Sequence, residues 1–187
     1  PELRRSRLTI NYQVIGRDDE QIVNQYKADP SQLSLEELVY GATLLTETDT
    51  EREAWNNTII RLFPNDYRAY SNMASVAYAK GDLNAMKTYI DKASKINAAA
   101  PEVNVNRSLL ALAQGNVEEA QTYIGRGTGA DSYNEVLGNL CIATANYSQA
   151  AGALAGKNTN SAALAQILNN DYSGAAKTLA AIKTSDA

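Results

Sequence analysis

Cys141 is the only thiol in this chain of 187 residues, and histidine is absent altogether. That excludes an imidazole general base, a Ser-His-Asp triad and a histidine metal site. One cysteine allows neither an intramolecular disulfide nor a thiolate cage for zinc or iron–sulfur. Carboxylates cluster as Asp18-Asp19-Glu20, Glu36-Glu37 and Glu118-Glu119. Neighbours on a helix point in different directions, so these do not form an acid/base pair, and no loop offers the alternating oxygen ligands of a calcium site. Gly125-Arg126-Gly127-Thr128-Gly129 has the look of a phosphate loop. Such loops follow a strand, and here an amphipathic helix comes first, so the glycines are expected to terminate that helix. Arg4, Arg5 and Arg7 form the one basic cluster. They are expected to edge a sheet or solvate a domain junction rather than to grip a phosphate or lipid head group. The formal net charge of −4 argues against nucleic acid as a partner. No enzymatic activity, cofactor or metal is expected.

The remaining residues must be understood through the elements that carry them. Leu8, Ile10, Tyr12 and Val14 alternate with Thr9, Asn11 and Gln13, a strand signal found nowhere else so cleanly. A lone strand needs neighbours. Residues 1–17 are therefore a short β-strand-like extension, and residues 18–187 a helical region. Pro1 opens the chain without a methionine, a basic start or an apolar signal core, so an excised or processed piece is expected. No apolar run approaches the roughly 18 residues of a membrane span.

Beyond residue 18 the period becomes helical. Asp18 and Asp19 cap a helix that ends at Asp29-Pro30, and Ser34 starts another. Thr48-Asp49-Thr50 reads as a loop whose Asp49 or Thr50 caps a helix over 51–62, ended by Pro64. Four turns then recur, at Gly81-Asp82, Gly115-Asn116, Ala145-Asn146 and Asn170-Asp171, each between two amphipathic helices. Their spacing is 34 residues, then 30, then 25. A small or apolar residue follows each at one offset: Met86, Ala120, Ala150 and Ala175.

This pattern resembles the tetratricopeptide repeat (TPR), most clearly over residues 67–100. There Tyr70, Met73, Ala74 and Ala77 match the packing positions of the first helix, and Met86, Ile90 and Ala93 those of the second. Asn104 and Arg107 depart from the pattern in the next copy, and Ala145 replaces the turn glycine in the one after. A degenerate copy covers residues 32–64. The resemblance implies an all-α fold, a right-handed superhelix of four to five helix pairs. It also implies a concave groove that holds a protein or peptide segment. In the register of the repeat, the groove residues are Tyr40, Arg68, Ser75, Tyr78, Val105, Leu109, Leu112 and Ile142, followed by Leu164 and Ile167. The alternative is that the apolar ones pack against helices of the chain itself. Arg68 stands almost alone as a groove cation, so the basic clamp some TPR proteins close on a terminal carboxylate is not expected. Cys141 and Trp55 are expected in the core.

The segments RRSRLTINYQVIGRDDEQIVNQY, LSLEELVYGATL and NSAALAQILNNDYSGAAKTL also resemble TPR proteins of the Bacteroidetes cell envelope. There the repeats follow an OmpA-like sheet, of which residues 7–15 would be the closing strand. This resemblance implies a periplasmic or outer-membrane-associated location and an upstream envelope domain. It also implies an alternative role, a structural spacer that positions a peptidoglycan-associated domain.

Overall fold

The structure, a computed structural model, describes residues 16–182. The strand expected at 7–15 and the arginines Arg4, Arg5 and Arg7 lie outside the described residues. Eleven α-helices and no strand occur among the described residues. They are α1 (Asp19–Ala28), α2 (Leu35–Leu44), α3 (Asp49–Leu62), α4 (Tyr67–Ala79), α5 (Leu83–Asn97) and α6 (Pro101–Ala113). There follow α7 (Val117–Ile124), α8 (Tyr133–Ala143), α9 (Tyr147–Ala153), α10 (Asn160–Leu168) and α11 (Tyr172–Ala181).

Local chemistry sets the helix starts. Asp18, Ser34 and Thr48 each form a capping box with the residue three positions on, Gln21, Glu37 and Glu51. The third box moves the start of α3 back from the expected residue 51. Thr48 is the cap, and Asp49 and Thr50 are already helical. Asp66 caps α4.

The inner turns of four helix pairs share one hydrogen-bond pattern. The left-handed residues are Gly81, Gly115, Ala145 and Asn170, with φ of +73°, +78°, +60° and +64°. The N–H after each reaches five residues back: Asp82 to Ala77, Asn116 to Ala111, Asn146 to Cys141 and Asp171 to Gln166, at 2.8–2.9 Å. This Schellman closure satisfies carbonyls that the helix end leaves open and reverses the chain tightly.

Tight reversal lets the paired helices lie close. The first helices of the pairs present a column of small buried residues, Gly41, Ala74, Ser108, Gly138 and Ala163. A Cβ at Gly41 would strike the Trp55 ring, and one at Gly138 would strike Leu154. Ser108 satisfies its buried hydroxyl by donating to the Ala120 carbonyl across the pair, at 2.8 Å. From the second helices come Met86, Ala120, Ala150 and Ala175, at most 2% exposed. Trp55 is buried, as expected, and stacks on Tyr26 at 3.7 Å, which attaches α1 to the first pair. Cys141 lies in the core with Ala150 and Leu154, and burial pushes its thiol pKa up.

The pairs α2/α3, α4/α5, α6/α7, α8/α9 and α10/α11 stack in order. The first helices α4, α6, α8 and α10 pack on one another in succession, with no comparable contact between successive second helices among the described residues. The stack therefore curves with its first helices on the inner side. The two departures from the repeat pattern have structural uses. Asn104 donates to the carbonyls of Ala98 and Ala100, closing the crossing into α6. Arg107 lays its guanidinium over the Tyr123 ring at 5.2 Å.

Two substitutions test this packing. Ala145→Gly relieves a left-handed alanine and should raise stability by about 0.5–1 kcal/mol. Gly138→Val forces α8 off Leu154 and should cost about 1–3 kcal/mol. Denaturant melts monitored by circular dichroism measure both.

Candidate partner-binding groove

The small column determines what faces the inner concavity. In α4, α6, α8 and α10 the residue after the column residue, and the one three further on, rotate onto the inner face. These pairs are Ser75 and Tyr78 on α4, Leu109 and Leu112 on α6, Asn139 and Ile142 on α8, and Leu164 and Ile167 on α10. None is charged. Tyr78, Leu164 and Ile167 are exposed at 40%, 45% and 41%. Leu109, Leu112 and Ile142 are half-buried, each with one side against the core. The result is an open strip running across four helices.

No family model and no curated protein matches the sequence. Solved structures do match the fold. TTC0263, a thermophilic TPR protein of Thermus thermophilus, aligns over 85% of this chain and 89% of its own, with a TM-score of 0.58 at 16% identity. YrrB, described as a TPR protein with an unusual peptide-binding site, aligns over 87% of this chain and 91% of its own, with a TM-score of 0.53 at 13% identity. The fold is a TPR-like superhelix.

In this TPR-like frame, the residues named from the sequence divide into three groups. Tyr78, with Leu164 and Ile167, is on the open surface, and Leu109, Leu112 and Ile142 border it. Ser75 is exposed, but its hydroxyl donates to the Asn106 side-chain oxygen at 3.3 Å. The other three are placed differently. Val105 is fully buried, in a cluster with Ala130, Val136 and Leu140, because α8 packs over that side of α6. It is a core residue. Tyr40 precedes the column residue Gly41 and so lies two positions short of the strip's register. Its hydroxyl donates to Asp19 of α1 at 2.9 Å. Ala42 and Leu45 hold the corresponding sequence positions in the first pair, but Ala42 is fully buried and Leu45 packs on the same core cluster, so the strip begins at α4.

Arg68 is bound within the chain. Its guanidinium donates twice to Glu36 of α2, at 2.8 and 3.1 Å, and also to Asp66 at 3.0–3.2 Å. These bonds, that to Glu36 foremost, raise the Arg68 pKa further. The same bond holds the Glu36 carboxyl below its ordinary value. An entering carboxylate would have to displace Glu36. Arg17 grips Glu37 at 2.9 Å beside it. This edge is thus a zipper of internal charge pairs that joins α2 to α4 and to the segment leading into α1.

Asn106 stands outside the residues named from the sequence. Its amide donates at 2.9 Å to both the carbonyl and the hydroxyl of Ser71, clasping α6 to α4 beneath the strip. The available signal was a polar pair, Ser71 and Asn106, 35 residues apart on otherwise apolar faces. Among the described residues no three His, Cys, Asp or Glu side chains are placed to hold a metal ion. No described helix is long and apolar enough to cross a membrane.

The charge zipper has a pH signature. Glu36 has a folded-state pKa below the ordinary 4.5. Its contribution is therefore complete above that value and is lost as pH falls through the folded pKa. Melting temperature should drop on acidification below about pH 4.5. Glu36→Gln should lower it near neutrality and make the acid slope shallower, read from thermal melts across a pH series.

Proposed function

We propose that the chain is a non-enzymatic protein-interaction scaffold that buries a partner segment against its concave strip. The observation that carries this reading is the alignment of exposed Tyr78, Leu164 and Ile167 with half-exposed Leu109, Leu112 and Ile142 along the inner face. Solvent-facing apolar side chains gathered along one groove mark interaction surfaces. The occupant with matching chemistry is an apolar strip of a helix or extended chain, with Tyr78 as an amphipathic anchor. The peptide-binding site ascribed to the TPR protein YrrB supports a peptide-class partner. The resemblance to Bacteroidetes envelope proteins supports a site of action in the periplasm or at the outer membrane, next to an upstream OmpA-like domain. In the alternative reading the superhelix is a spacer for that domain, and the groove has no ligand.

Tyr78→Asp combined with Ile167→Asp separates the two. Both side chains are exposed, so the melting temperature should stay within experimental error of the parent. Binding of a partner captured from envelope extract should fall at least tenfold, the scale of losing a buried aromatic anchor. Unchanged binding by the variant removes the groove reading, and a parent chain that captures nothing leaves the spacer. Leu109 and Leu112 are unsuitable for this test, because their core-facing sides would carry an aspartate into apolar surroundings.

A further inference from the structure

The second helices of four pairs share a triplet with spacing 0, 3, 7. It reads Leu83-Met86-Ile90 on α5, Val117-Ala120-Ile124 on α7, Tyr147-Ala150-Leu154 at α9 and Tyr172-Ala175-Leu179 on α11. In the first three, the last residue is buried at 3%, 5% and 2%. The following first helix packs on each of these second helices. On α11 the equivalent Leu179 is 49% exposed and Tyr172 is 65% exposed. The face that is internal three times over in this fold is external here.

Charge indicates what fits that face. The chain has a net charge of −4, yet from Val136 to Ile182 its charged side chains are Lys157, Asp171 and Lys177 alone. Asp171 is engaged in capping α11 through the Gly174 N–H at 2.8 Å. Lys177 stands five residues past Tyr172, about 140° around the helix from it. The stripe of Tyr172, Ala176 and Leu179 is therefore uncharged. At the other end of the described stack, α1 is closed by exposed Glu20, Gln21, Asn24 and Lys27. A head-to-tail contact would press that polar surface onto an apolar one. A two-fold contact places the neutral stripe on itself and closes after two copies.

We infer that α11 is a self-association surface on which a second copy of this chain packs its own α11 about a two-fold axis. The interface continues the stacking contact that buries Ile90, Ile124 and Leu154, with the partner's helix in the place of the next first helix. It does not draw on the groove reading, and it leaves the inner strip of each copy open.

Sedimentation velocity on the 187-residue chain over a wide concentration range tests this. The expected result is a concentration-dependent monomer–dimer equilibrium. Leu179→Glu should abolish the dimer with an unchanged circular-dichroism melt, because the side chain is half exposed in the single chain. Ala176→Cys, next to the axis, should give a disulfide-linked dimer on mild oxidation, whereas buried Cys141 in the parent gives none. A parent that stays monomeric throughout overturns the inference. So does a Leu179→Glu chain that still dimerises, or an Ala176→Cys dimer that never cross-links.

Discussion

Close approach between the two helices of each pair is the constraint from which the rest of this molecule follows. It is possible only where the first helix offers a small side chain, and Gly41, Ala74, Ser108, Gly138 and Ala163 supply one in every pair. At Gly41 and Gly138 even a methyl group has no room. The left-handed turn closes the hairpin tightly enough to use that contact, and tolerates alanine at 145 and asparagine at 170. Interiors pack at near-crystalline density, so the position of one small residue fixes the rotation of the whole helix. With that rotation fixed, the neighbouring positions of α4, α6, α8 and α10 face the concavity. The groove is a consequence of the packing column, not an independently placed site.

The groove changes character along its length. Near α2 and α4 its edge is a network of internal ion pairs and hydrogen bonds, Glu36–Arg68–Asp66 among them. The Ser71–Asn106–Ser75 clasp lies next to it. Toward α8 and α10 polar bonding fades and apolar exposure grows, from half-buried Ile142 to exposed Leu164 and Ile167. The polar part holds first helices together where each surface partner is already satisfied. The apolar part gains by being covered. An entering segment would therefore be anchored mainly between Tyr78 and Ile167.

Much of this is legible in the sequence, because it is written in local terms. Helix caps, left-handed turns and the offset of Met86, Ala120, Ala150 and Ala175 depend on residues a few positions apart. The core positions of Cys141 and Trp55 follow from helical periodicity. Two of the three misplacements have a long-range cause. Val105 sits at a groove position by repeat register, and the packing of α8 on α6 buries it. Arg68 looks like an isolated groove cation until Glu36, 32 residues earlier, is brought beside it. Tyr40 is out of register because the degenerate first pair turns through Leu45–Thr48 without the left-handed residue that marks register elsewhere.

On α4 and α10 the column faces inward to the partner helix while the very next residue faces the groove, and adjacent cysteines read this directly. In a Cys141→Ala background, the native-state labelling rates of Ala163→Cys and Leu164→Cys, and of Ala74→Cys and Ser75→Cys, can be compared under identical conditions. Positions 164 and 75 should react near the rate of a free thiol, with 163 and 74 strongly protected. Equal rates within each pair, or protection of 164 and 75 instead, would contradict the packing column as the origin of the groove.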